Sequence, residues 1–311
     1  MLDLFTIKFG GMKMTKTILQ YQNAFNSVVD RIKIDESVLS VMVFGSMVTG
    51  DLWEESDIDL FVIVKENFEK IRDIYTEEKG VPVHIKLIGK EKFIQIYSDN
   101  LKGGYLHRIF SSSRLVFSKD MDVTVRFDGG RFFPDVDRER WGMCFLGKLL
   151  KDIGVCKKYL WSDGIYTSYS TAIRCIEKYS RLFVNSSGYM ISKDVLTMAM
   201  NLNDGFKQSV DKLFFDKSNL AETIQETITF LEDSINSSIK SNCNLLLNYM
   251  REQDRFLSAE EIMEEDLFKD FEIEMEELLN KLWERDIIKK ETRDFKLDED
   301  KILFKQNVYF V

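Results

Sequence analysis

Apolar positions follow two different rhythms along this chain. In the first 125 residues, short runs of apolar side chains alternate with amphipathic stretches. Val41-Met42-Val43-Phe44, Asp57–Val64 (DIDLFVIV), Val81–Ile88 (VPVHIKLI) and Arg114-Leu115-Val116-Phe117 read as strands. Thr15–Ile34, Glu66–Lys79, Lys90–Ser98 and a short stretch after Gly103-Gly104 have helical character. Strands interleaved with helices predict an α+β domain built on a mixed sheet. From residue 126 to about 250 the period is helical throughout, as in Cys144, Phe145, Leu149 and Ile153, or Ile224, Ile228 and Leu231. This stretch predicts a helical bundle. Residues 251–311 change character again. Ser258-Ala259-Glu260-Glu261 has the form of a capping box, Glu272–Arg285 reads as a helix, and apolar pairs flank a charged turn at Thr292–Asp294. Two helices followed by a β-wing resemble a winged helix. The expected organisation is therefore α+β and multidomain: residues 1–125, a helical bundle over 126–250, and a small winged-helix-like module over 251–311.

Composition narrows the function classes. The chain has 311 residues and a formal net charge of −9, with only two prolines. Net charge is −2 over residues 1–125, +1 over 126–250 and −8 over 251–311, where 11 basic face 19 acidic side chains. An acidic chain argues against general nucleic-acid or anionic-membrane binding. The tail in particular repels phosphates, because its second helix begins Glu272-Ile273-Glu274-Met275-Glu276-Glu277. A protein partner suits that module better. No run of eighteen apolar residues and no basic-then-apolar leader is present, so a cytoplasmic protein without a membrane span is expected. Cys144, Cys156, Cys175 and Cys243 lack metal-ligand spacing and are expected as reduced thiols.

The chemistry concentrates in Phe44-Gly45-Ser46-Met47-Val48-Thr49-Gly50 and in Ser56-Asp57-Ile58-Asp59-Leu60. Gly45 ends a strand without a side chain, which allows a phosphate to approach the backbone. Ser46 adds a hydroxyl and a backbone N–H at an expected helix start. Asp57 and Asp59, two apart on a strand, point to one face, where they would repel each other unless a cation joined them. Mg2+ (or Mn2+) fits such a pair, with waters and substrate phosphates completing its shell.

At residues 38–64 this pattern of Gly-Ser, a short helix with a second glycine, and Asp-x-Asp resembles the nucleotidyltransferase superfamily. That superfamily includes DNA polymerase β and the aminoglycoside nucleotidyltransferases. By element order the resemblance extends over residues 1–125. It implies a nucleotidyltransferase fold and transfer of a nucleoside monophosphate from an NTP such as ATP to a hydroxyl of a small molecule or protein. Asp57 and Asp59 would then be catalytic metal ligands, and Gly45 and Ser46 would bind the nucleotide. Active members of the superfamily add a third carboxylate on a later strand. Here that strand carries Pro82, His84 and Lys86 on the relevant face and no acid between Val81 and Ile88. His84 is the candidate substitute, as metal ligand or proton acceptor, and Lys86 a candidate triphosphate contact. The missing acid supports an alternative: a catalytically impaired member acting as nucleotide sensor or interaction scaffold. Tyr166, Tyr169, Arg174, Lys178, Tyr179 and Arg181 form a candidate acceptor wall, balanced by the plainer reading of a solvated amphipathic edge. His107 and Arg108 are expected on an exposed helical face.

Overall fold

This computed structural model describes residues 18–68, 70–99, 105–130, 135–216, 218–298 and 301–311. It divides into two compact units, Met1–Phe132 and Phe133–Val311. The second unit spans both the helical stretch and the C-terminal segment.

In the first unit, helix α1 (Ile18–Ile34) is followed by β1 (Val38–Phe44), a single turn of helix α2 (Ser46–Thr49), and β2 (Ile58–Val64). Strands β3 (Arg72–Glu78) and β4 (Val81–Gly89), helices α3 (Lys90–Asp99) and α4 (Tyr105–Ser112), β5 (Arg114–Ser118) and α5 (Met121–Gly130) complete it. The five strands form a mixed sheet in the order β3-β4-β2-β1-β5. Strands β2 and β4 run parallel, and the other neighbours are antiparallel. Strand β1, interior to the sheet, is buried along its whole length, which explains its apolar run from Val41 to Phe44. Its alternate residues feed two cores. Val41 and Val43 join Tyr21, Ala24 and Val28 of α1, while Met42 and Phe44 join Phe61, Phe93, Phe110 and Phe127 on the other face.

Strand β3 replaces the helix expected over 66–79. Six of its seven residues are exposed, so it carries no apolar alternation to announce it. Pairing with β4 decides its conformation instead. The connection is Lys79-Gly80, both at positive φ (50° and 76°), as a two-residue hairpin turn matched to strand twist requires.

The second unit contains α6 (Asp135–Trp161), α7 (Ile165–Ser186), α8 (Val195–Leu202), α9 (Asp204–Phe215), α10 (Leu220–Asn242) and α11 (Asn244–Gln253). Ile224, Ile228, Leu231, Ile235 and Ile239 form one buried stripe along α10. Two further helices, α12 (Ala259–Met263) and α13 (Met275–Glu284), precede a two-stranded antiparallel sheet of β6 (Lys289–Asp298) and β7 (Lys301–Phe310). The capping box forms: the Ser258 hydroxyl accepts from the Glu261 N–H at 3.2 Å, and Glu261 Oε2 accepts from the Ser258 N–H at 2.7 Å. Helix α13 starts three residues later than expected. The preceding Glu272 and Glu274 instead bind Lys148 and Lys151 of α6, each at 2.8 Å. The Tyr309 hydroxyl, donating toward Glu276 (2.7 Å) and Asn280 (2.9 Å), fastens β7 to α13. Among the described residues no helix is long and apolar enough to cross a membrane.

Candidate functional site

The sheet brings the dispersed site residues together. Asp59, on β2, lies opposite Phe44 of β1 on one side and opposite His84 of β4 on the other. Asp57 enters immediately before β2. Ligand atoms of Asp57, Asp59 and His84 all lie within 4.8 Å of one another, and all three residues are half-buried.

Gly45 is required where it stands. Its backbone (φ 70°, ψ −152°) occupies a region essentially reserved for glycine. A Cβ there would sit 2.3 Å from Asp59 Oδ2. The absent side chain is therefore the space the carboxylate uses. Ser46 follows as the first residue of α2, whose turn is closed by the Val48 N–H on the Gly45 carbonyl at 2.9 Å. Gly50 ends that turn in the left-handed region.

The approach to Asp57 is latched from α1. The Tyr21 hydroxyl donates toward the carbonyls of Trp53 and Ser56, each at 2.9 Å. The Ser56 hydroxyl accepts from the Trp53 N–H at 3.0 Å. Burial raises the Tyr21 pKa, and the negative charges of Asp57 and Glu54 raise it further, so this phenol stays a donor.

His84 stands between two carboxylates. Its Nδ1 lies 3.2 Å from Asp59 Oδ1, and its Nε2 lies 2.9 Å from Asp73 Oδ1. Asp73 comes from β3, opposite Lys86, whose ammonium donates to the same oxygen at 2.6 Å. The hydrogen bonds from Lys86 and then His84 hold the Asp73 carboxyl below its ordinary pKa. The Tyr75 ring, opposite His84 in register, stacks on the imidazole at 4.5 Å with 6° between the planes. Asp73 and Tyr75 were invisible in the sequence pattern, because their segment read as a helix. The available signal was Ile74-Tyr75-Thr76 ahead of a Lys-Gly turn and the VPV strand.

Other sequence candidates are placed elsewhere. Lys86 is paired with Asp73, so its charge is already engaged. His107 is buried in α4, at 4% exposure, which overturns its expected exposed face. The side chain of Arg108 lies outside the described residues. In α7 the aromatic and basic residues do not make one wall. Tyr179 is buried against Phe206, at 4.8 Å between ring centroids. Arg174 and Lys178 both reach Asp152 on α6, and Arg181 binds Glu177. The Tyr169 hydroxyl donates to the Leu213 carbonyl, while Tyr166 is 87% exposed. All four cysteines are buried, unbridged thiols, and burial pushes Cys144 and Cys243 up to about 12, away from nucleophilic use.

A family model described as polymerase beta, nucleotidyltransferase, matches residues 26–122. A nucleotidyltransferase-like protein from Exiguobacterium sibiricum 255-15 superposes with a TM-score of 0.64 at 16% identity, covering 93% of this chain and 99% of the other. A spectinomycin adenyltransferase from Enterococcus faecialis, solved with ATP and spectinomycin, gives a TM-score of 0.31 at 14% identity, over 70% of this chain and 100% of that one. No curated protein sequence matches. The sheet order, the Gly45-Ser46 turn, the paired aspartates and the family match together identify residues 26–122 as a nucleotidyltransferase domain of the polymerase beta family.

Proposed function

We propose that this protein moves a nucleoside monophosphate from an NTP to a hydroxyl of a small molecule or protein, with Mg2+ or Mn2+ required. The observation that carries the reading is the convergence of Asp57, Asp59 and His84 beside a glycine whose missing Cβ leaves the carboxylate its place. Two carboxylates and an imidazole, within 4.8 Å and half-buried, are a donor set that suits a divalent cation. Asp57 and Asp59 would hold it, with His84 as the third donor. When bound, such an ion neutralises triphosphate charge and makes the α-phosphorus more electrophilic.

The chain's own residues supply the positioning. Gly45 keeps the wall beside Asp59 thin enough for a phosphate to come close, and Ser46 offers a hydroxyl and an N–H next to it. The Tyr21 latch fixes the loop that delivers Asp57. The acidic start of α13, with Glu276 and Glu277, disfavours a nucleic-acid acceptor and suits a winged-helix-like protein contact.

One observation favours a second reading, that of a catalytically impaired nucleotide sensor or scaffold. The site-side residues of β4 are His84 and Lys86, both tied to Asp73, with no carboxylate on that strand. Calorimetry with each NTP and Mg2+ or Mn2+, on wild type and Asp57→Ala, tests the first reading. Cation-dependent binding lost in Asp57→Ala supports it, and no such binding by wild type removes it. Pyrophosphate release on an acceptor panel then favours the enzyme; binding without release favours the sensor.

A further inference from the structure

The imidazole of His84 faces a carboxylate oxygen at each nitrogen, 3.2 Å at Nδ1 and 2.9 Å at Nε2. A neutral imidazole has one N–H and one lone pair, so it can donate to only one of them. Asp73 Oδ1 is fixed by the Lys86 ammonium at 2.6 Å, and the imidazole plane is fixed by the stacked Tyr75 ring. Both partners come from β3 in cross-strand register, Asp73 opposite Lys86 and Tyr75 opposite His84. With a cation seated on the aspartate pair, the Nδ1 lone pair turns to that cation and the N–H at Nε2 donates to Asp73. A lone pair against a carboxylate is repulsive unless a cation lies between them.

We propose that Asp73 is a positioning residue that makes His84 Nδ1 the third ligand of the cation held by Asp57 and Asp59, giving a mixed nitrogen–oxygen site that selects Mn2+ over Mg2+ more strongly than three carboxylates would. A carboxylate that accepts from the distal N–H of a ligating histidine fixes its tautomer and raises its basicity. An imidazole ligand moves preference away from Mg2+, which favours oxygen donors. The inference rests on the proposed cation role of Asp57 and Asp59, and it assigns the part that a third carboxylate would have played.

The test uses the full chain loaded with Mn2+ alone, electron spin-echo envelope modulation to detect bound 14N, and calorimetric affinities for Mn2+ and Mg2+. Wild type should show 14N modulation. His84→Asp should bind Mn2+ without it and show a lower Mn2+/Mg2+ affinity ratio. Asp73→Ala should weaken Mn2+ binding by about 10–100-fold. Asp73→Asn should retain most of the affinity, because its amide oxygen still accepts from Nε2–H. Thermal melts establish that each variant is folded, and a merely structural role for Asp73 would not alter the 14N signal. Mn2+ bound by wild type without 14N modulation, or unchanged affinity in Asp73→Ala, overturns the proposal while leaving the aspartate pair intact. Absence of Mn2+ binding by wild type overturns both readings.

Discussion

Replacing Gly45 by alanine tests the steric basis of the site. The new Cβ would lie 2.3 Å from Asp59 Oδ2, 0.7 Å inside the 3.0 Å limit that real Cβ contacts respect. Two costs separate. The backbone at φ 70°, ψ −152° is a strained conformation for any residue with a Cβ, costing about 1–3 kcal/mol. The overlap with Oδ2 adds a second cost, because Asp59 must turn away from its place beside Asp57 and His84. Gly45→Ala is expected to lower Tm by about 3–10 °C and to weaken Mn2+ binding by at least about tenfold, since one carboxylate leaves its place. A double-mutant cycle isolates the overlap. In the Asp59→Ala background the nearest remaining atom, Asp59 Cβ, is 3.5 Å away, an ordinary contact. The same glycine substitution should therefore cost less stability there than in wild type. Melting followed by circular dichroism and calorimetry with Mn2+ read both effects. A Gly45→Ala protein that melts and binds Mn2+ like wild type would show that the missing Cβ does not shape the site, as would an equal cost in both backgrounds.

Further expectations concern the latch and the second unit. Tyr21→Phe removes the proton shared by two loop carbonyls. It should lower stability by about 1–3 kcal/mol and weaken Mn2+ binding with the fold intact; unchanged affinity would show that the latch does not position Asp57. At Glu261, burial raises the pKa, but hydrogen bonds from Arg293, the Ser258 N–H and Arg255 outweigh it and bring the carboxyl down to about 2 from 4.5. A lowered carboxylate pKa contributes stability that is present above about pH 4.5 and is lost as pH falls toward 2. With the side chain 28% exposed, the contribution is about 1–3 kcal/mol. Glu261→Gln should accordingly flatten the acid limb of the stability profile in urea titrations, and a profile that keeps its slope would contradict the assignment. Asp152→Asn should release Arg174 and Lys178 together and lower Tm, whereas an unchanged melt would show those pairs to be incidental.

The elements legible in the sequence were those whose burial writes a local rhythm. Strand β1 is buried on both sides and its half from Val41 to Phe44 reads as an apolar run; α10 shows its buried stripe at helical spacing. The capping box at Ser258 is local and formed as read. The aspartate pair was legible from its spacing of two residues, although β2 begins at Ile58 and Asp57 enters just ahead of it. Strand β3 was not legible, since an exposed edge strand has no apolar code and owes its conformation to β4. Asp73 and Tyr75 disappeared with it. The Tyr21 latch spans 35 residues to Ser56, a distance over which periodicity carries no information. The basic residues of α7 looked like a surface wall because Asp152, which takes two of them, lies on a different helix.

The proposed function requires Asp57, Asp59 and His84 to hold a divalent cation beside the Gly45-Ser46 turn. Anomalous diffraction from crystals grown with Mn2+ and a non-hydrolysable NTP analogue tests it most directly. An anomalous peak is expected within coordinating distance of both aspartate carboxylates and His84 Nδ1, with phosphate oxygens against Gly45 and Ser46. A crystal with the nucleotide bound elsewhere, or with Mn2+ seated away from these three side chains, would contradict it.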